Sequence, residues 1–146
     1  MVLPRFEVPA EQQVVVPEPV MREAVEAMFR AAGQPAEDAA SNADVLVSSD
    51  LRGNDSHGVS NTLRAYMQGF FRPGPRAVTG SSSSTANPRP NFRVVTDAPA
   101  AAVIDADGGL GIHVGTFAMK MAIEKAQRLG TASVIVRNAG HFGAIG

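Results

Sequence analysis

Apolar positions in the first half of the chain recur at helical spacing in three runs, each closed by a turn signal. The first run starts at Glu18, with Pro19 suited to its first turn and Gly33 to its C-terminal cap, and puts Val20, Ala24, Ala27, Met28 and Ala31 on one stripe. Pro35 restarts a helix whose first turn carries Glu37 and Asp38, as the helix dipole favours. Its apolar face is Ala39, Ala43, Leu46 and Val47, and it should end near Arg52-Gly53. A third helix is predicted to open after Ser56, to present Leu63, Tyr66, Met67 and Phe70 inward, and to stop at Pro73-Gly-Pro75. Residues 1–17 read as an irregular arm with a short extended piece at 13–16.

The pattern then changes. Residues 79–91 are low in complexity, contain nothing that packs, and form the best candidate for a boundary. Residues 92–97 and 100–105 read as two strands, followed by a glycine-rich turn at Asp107-Gly-Gly-Leu-Gly111. A long helix should place Ile112, Gly115, Thr116, Met119, Ala122, Ile123, Ala126 and Leu129 on one face and stop at Gly130. Residues 132–137 are a nearly all-apolar run of the kind buried in a parallel or mixed sheet. The loop after such a strand is where α/β sheets place ligands. The expected fold is therefore mixed α/β: an arm and helical unit over 1–78, a flexible loop over 79–91, and a partial α/β domain over 92–146. One strand-helix-strand unit plus a hairpin makes a thin sheet, so an incomplete fold is expected.

Composition narrows the classes. The chain has 146 residues, 45% of them apolar but only 5% aromatic, so the core must be aliphatic. Net charge is −1, which gives no electrostatic case for nucleic acid or an anionic membrane as partner. There is no cysteine, which excludes disulfides and thiolate chemistry. No stretch suits a signal peptide or a membrane span, and a soluble, cytoplasmic protein is the expectation.

Chemistry-bearing residues concentrate between Ser49 and Tyr66, which holds two arginines, two aspartates, a Ser-His pair and the protein's one tyrosine. Arg52 and Arg64 flank this loop and are suited to clamp a carboxylate, unless Asp50 or Asp55 pairs with them. Ser56-His57 is a poor nucleophile-base pair, since neighbours in sequence rarely set the imidazole against the adjacent hydroxyl, and no Gly-x-Ser-x-Gly elbow is present. Metal binding is disfavoured because no two histidines share ligand spacing. His141, in a glycine-rich loop after a buried strand, reads equally as a proton carrier or as a hydrogen-bonding loop cap. His113 reads as a surface residue on the polar side of the long helix. The glycines at 109 and 111 miss the dinucleotide fingerprint, because position 114 is valine and no acid closes the strand after the long helix, which ends Val136-Arg-Asn138.

Asp50-Leu-Arg-Gly-Asn-Asp-Ser-His-Gly-Val59 resembles the Asp-x-Arg-Gly-x-x-Ser-His-Gly signature of the malate/L-lactate dehydrogenase-like oxidoreductases. This non-Rossmann family also contains ureidoglycolate, sulfolactate and diketogulonate dehydrogenases and cyclic-imine carboxylate reductases. Ile104-Asp-Ala-Asp-Gly-Gly-Leu-Gly111, Ala118-Met119 with Ala122-Ile-Glu-Lys125, and Val136-Arg-Asn-Ala-Gly-His-Phe-Gly143 agree in order. The resemblance implies NAD- or NADP-dependent hydride transfer between a 2-hydroxy acid and its 2-oxo acid. It implies that His141 is the acid-base residue, that Ser56, His57 and Arg64 bind substrate, and that His57, Gly143, Ala144, Ile145 and Gly146 approach the cofactor, with no metal. Many members carry arginine where Asn61 stands, and Arg64, three residues on, is the candidate replacement. Members are more than twice this long and pair as homodimers, so an amino-terminal part is expected. The alternative is a catalytically inactive fragment acting as a binding or dimerising module.

Overall fold

The computed structural model describes residues 9–71 and 86–144, apart from the side chains of 69–71. Helix α1 spans Glu18–Ala31 and α2 spans Ala36–Leu51. Pro17 and Pro35 stand just before them, where a missing N–H costs nothing, and Gly33 (φ 97°) turns the chain between them. Val25 and Phe29 of α1 are buried against Ala39, Ala43, Leu46 and Val47 of α2, with Met21 packed beside them. The second helix thus buries the face expected of it, but the first does not. Its expected stripe faces outward, with Val20 55% and Met28 49% exposed. Burial scales with apolar area, and a stripe with three alanines loses to the one carrying Met21, Val25 and Phe29 at four-residue spacing.

After α2 the chain makes a tight 3-10 turn at Asp55–His57 and a wide π turn at Val59–Leu63 before α3, Arg64–Phe71. The expected single helix from Ser56 is therefore replaced by a compound start. Leu63, Tyr66 and Met67 join the core as expected, while the Phe70 side chain lies outside the described residues.

Strands β1 (Arg93–Ala98) and β2 (Ala101–Asp105) pair antiparallel, and β3 (Ser133–Arg137) pairs parallel to β2. The mixed sheet runs β1-β2-β3, and α4 (Gly111–Leu129) connects β2 to β3. Val114 and Ala118 of α4 pack on Ile104, with Met121, Val134 and Val136 around them. Of the expected α4 face, Ile112 is buried, but Met119, Ile123 and Leu129 are about half exposed or more. The inward stripe ends instead in Lys125, which is buried and donates to Asp97 and to the Ala98 carbonyl, tying α4 to the β1-β2 hairpin. A long stem lets a charged residue occupy an inward position, which hydrophobic periodicity cannot show. The expectation of a fully buried β3 also fails: Val134 and Val136 face α4, while Ile135 is 61% exposed.

Residues 79–85 of the expected flexible loop lie outside the described residues. Residues 86–91 do pack, contrary to the sequence reading. Asn87 is buried, its N–H donating to the Gly108 carbonyl and its amide to Asp107, and Arg89 donates to the Gly33 carbonyl. Polar side chains here bind backbone, a form of order that low complexity conceals. Leu110 and Ile112 belong to the same core as Val25, Phe29 and Leu46, so the helices and the sheet unit share buried surface.

Candidate active site

The Ser-His-Gly loop is built by Asp50, which lies in the last turn of α2. Its carboxylate accepts the Val59 N–H at 3.0 Å across the loop. A Cβ on Gly58 would stand 1.5 Å from the same carboxylate, so only glycine fits above it. Ser49 closes the inner side by donating to the Asn54 carbonyl, and Asn61 donates to the Ser56 carbonyl at 2.8 Å. The result is a fixed turn that presents Ser56 and His57 on its outer side.

The His141 loop is placed by the glycine turn before α4. The Gly140 N–H donates to the Gly109 carbonyl, and a Cβ on Gly111 would come within 2.5 Å of the Gly140 and His141 carbonyl oxygens. Phe142 lies over Gly115 of α4. Asp105 anchors the strand ends: it accepts from the Asp107 N–H, the Asn138 amide and the Arg137 guanidinium. The backbone N–H of Asp107 is the largest influence holding its carboxyl below the usual carboxylate range, with Asn138 and Arg137 acting in the same direction. Asp105 was not singled out from sequence; an acid ending an apolar strand was its signal.

These two loops bring His57 and His141 together. Their rings stack with centroids 5.5 Å apart and planes 17° apart. Ser56 Oγ lies 2.9 Å from His57 Nδ1, so the adjacent hydroxyl does meet the imidazole, contrary to the sequence expectation; the tight 3-10 turn makes this possible. The serine hydroxyl donates to Asn54 Oδ1, which leaves His57 Nδ1–H as the donor to Ser56 and His57 Nε2 as an open acceptor. His57 is therefore no base toward Ser56, and a serine nucleophile gains no support. His141 has the opposite arrangement. Its Nδ1 accepts the Gly143 N–H at 3.0 Å, so the neutral ring carries its proton on Nε2. The Tyr66 hydroxyl stands 3.3 Å from His141 Nδ1 and 3.4 Å from its carbonyl oxygen. Burial pushes the Tyr66 phenol well above its ordinary pKa, keeping it a neutral hydroxyl.

Other expected site residues are placed differently. Arg64 is exposed, and two residues from Tyr66 on a helix is about 200° around the axis, so its base points away from the His141 side. Neither Arg64 nor Arg52 forms an ion pair among the described residues, and Asp50 serves the backbone instead. Arg52 lines a groove of about 340 Å³ with Asp44, Val45, Ser48, Ser49, Asn54 and Ala144. Gly143 is buried in the left-handed region (φ 72°), and Ile145 and Gly146 lie outside the described residues. His113 is not a surface residue: its side chain is 13% exposed, Nε2 meets Asp38 at 3.1 Å, and its ring meets Phe92 edge-on. Among the described residues, no group of three or more His, Asp or Glu could hold a metal ion, and no helix is long and apolar enough to cross a membrane.

A family model described as malate/L-lactate dehydrogenase matches residues 16–146. The chain is 44% identical over 114 residues to the L-sulfolactate dehydrogenase of Methanocaldococcus jannaschii, covering 78% of this chain and 30% of that protein. It is 34% identical over 114 residues to the ureidoglycolate dehydrogenase (NAD(+)) of Escherichia coli O157:H7, covering 78% and 29%. The malate dehydrogenase structure from Pyrococcus horikoshii OT3 superposes with a TM-score of 0.78 at 38% identity, covering 89% of this chain and 34% of that one. The chain thus spans about a third of the length of the relatives it matches.

Proposed function

The chain belongs to the malate/L-lactate dehydrogenase family, and on that premise we propose that its paired loops form the acid-base half of a site for hydride transfer between a 2-hydroxy acid and its 2-oxo acid. The observation that carries this reading is the stack of His57 on His141, in which each ring keeps one nitrogen available and the two have opposite hydrogen-bonding sense. A hydroxyl oxygen that loses or gains a proton while hydride moves at its carbon needs such a partner. His141 exchanges the proton at the C2 oxygen. Ser56 and His57 line the substrate. An arginine holds the carboxylate, with Arg64 the residue assigned from the family pattern and Arg52 the one already seated in a groove.

NAD or NADP accepts or returns the hydride when bound. The groove beside Ala144 has the volume and polar lining to take part of such a dinucleotide, and Gly143 keeps the backbone there open to close approach. His57, Gly143, Ala144, Ile145 and Gly146 are the residues assigned to it. In the whole protein the partners are a small hydroxy or oxo acid and a second subunit, in the cytoplasm.

Because the chain spans about a third of its relatives, a non-enzymatic binding or dimerising module is the competing reading. Titrating NADH and NADPH against the purified chain by nicotinamide fluorescence separates the two. Saturable binding that weakens in His57→Ala supports the dehydrogenase reading; no binding at millimolar cofactor favours the module.

A further inference from the structure

His141 has a tautomer problem that the paired loops do not solve. The Gly143 N–H points at Nδ1 from 3.0 Å and so holds the neutral ring with its proton on Nε2. In that state Nε2 can donate a hydrogen bond but cannot take a proton from a hydroxyl. To act as a base, the ring must carry its proton on Nδ1 and leave Nε2 free; to act as an acid, it must carry both. Either way Nδ1–H needs an acceptor, and a backbone N–H is none.

Tyr66 is the group placed to be one. Its hydroxyl lies within hydrogen-bonding reach of two His141 atoms, Nδ1 at 3.3 Å and the carbonyl oxygen at 3.4 Å. A hydroxyl turned to donate to the carbonyl offers its oxygen lone pair to Nδ1–H. The ring and the carbonyl belong to the same residue, so one rotation of the hydroxyl changes its role, while the Gly143 N–H, which would then face another donor, turns aside. Tyr66 is 6% exposed and anchored in the helical core, which fixes its hydroxyl beside the His141 loop.

We propose that Tyr66 is the positioning residue that lets His141 carry a proton on Nδ1, and so converts a resting hydrogen-bond donor into a working proton acceptor at Nε2. Resting on the dehydrogenase reading of this site, it assigns the proton ledger as follows. In oxidation, Nε2 takes the hydroxyl proton of the substrate while hydride leaves C2 for the nicotinamide cofactor, and Nδ1–H stays on Tyr66 throughout. In reduction the same atoms run in reverse. Tyr66 touches neither substrate nor cofactor in this scheme; it acts through His141. Among the described residues, the titratable groups set against the His141 ring are His57, from the Ser-His-Gly turn, and Tyr66, from α3.

The test is nitrogen-15 NMR of the histidine rings in the 146-residue chain, wild type against Tyr66→Phe. The imidazole nitrogen shifts report which nitrogen carries the proton, and the readout needs no turnover. Wild type should show a measurable Nδ1–H fraction at His141. Tyr66→Phe should show Nε2–H alone, since Nδ1–H loses its acceptor. Phenylalanine keeps the buried ring, and an unchanged backbone amide spectrum outside residues 138–144 identifies a folded variant; loosened packing alone would disturb that spectrum without selecting a tautomer. Where turnover of a 2-oxo acid is measured, kcat should fall about tenfold or more with KM little changed. A His141 tautomer ratio identical in the two chains overturns the assignment, whatever the chain does with oxo acids. Absence of cofactor binding, by contrast, bears on the dehydrogenase reading and not on this one.

Discussion

A carboxylate beneath a glycine sets the Ser56-His57 turn, and this is where single atoms matter most. Alanine at position 58 would drive its Cβ to 1.5 Å from Asp50 Oδ1, so the carboxylate must leave and its bond from the Val59 N–H is lost. A charge-assisted bond of this kind is worth about 1.5–3 kcal/mol. Gly53→Ala is the control: its backbone is left-handed (φ 72°), unlike that of Gly58 (φ −90°), but nothing stands within 4 Å of an added Cβ. That variant should lose only about 1 kcal/mol from backbone strain. Denaturant unfolding should therefore rank Gly58→Ala clearly below Gly53→Ala, and equal losses would remove Asp50 from its role. The sequence showed that these residues form a unit, because a dense polar loop around two glycines needs a reason. It did not show which polar atom meets which, and Asp50 looked like an arginine's partner until the backbone N–H claimed it.

At the scale of elements, the close crossing of the turn before α4 with the His141 loop decides where the second histidine stands. Gly111→Ala would press a methyl group against two carbonyl oxygens at 2.5 Å, and neither is the end of a flexible side chain. The loop must shift, so the His57–His141 ring contact, read as a nuclear Overhauser effect, should be lost, with amide shifts concentrated at residues 138–144. An unchanged ring contact would mean that the crossing does not position His141. Element positions were legible from sequence because proline, glycine and period carry local information. Which face of a helix turns inward was legible for α2, where Leu46 and Val47 share a side with Ala39 and Ala43, and for α3, where Tyr66 and Met67 turn inward. In α1 two stripes competed, and in α4 the inward stripe ends in Lys125, whose partners Asp97 and Ala98 lie far away in sequence. Facing is fixed by tertiary partners, and period alone does not name them.

For the molecule as a whole, His113 and Asp38 link α4 to α2, joining the sheet unit to the helices. His113 Nε2–H donates to Asp38, while its buried Nδ1 has no hydrogen-bond partner. Burial lowers the His113 pKa, with Asp38 opposing it less strongly. The unfolded chain thus binds a proton at higher pH than the folded one. Its contribution to stability is present above the unfolded value of 6.5 and is lost as pH falls from there through the lowered folded value. Urea midpoints should decline on acidification from neutral pH, and His113→Gln should flatten this portion of the curve. Asp105 acts in a separate window: its lowered pKa supports the fold above the ordinary carboxylate value and is lost only on further acidification.

The site itself depends on this joining, because His57 comes from the helical half and His141 from the sheet half. The family was readable from short motifs and the mixed α/β class from the apolar pattern. The meeting of His57 with His141 and the tyrosine behind them were not, since Tyr66 and His141 are 75 residues apart. The most direct measurement is NADH oxidation driven by a 2-oxo acid, followed by nicotinamide absorbance, for the purified chain and for His141→Ala. Oxidation should require the oxo acid and fall about a hundredfold or more in the variant. An undiminished rate in His141→Ala would contradict the assignment of His141 as the proton carrier.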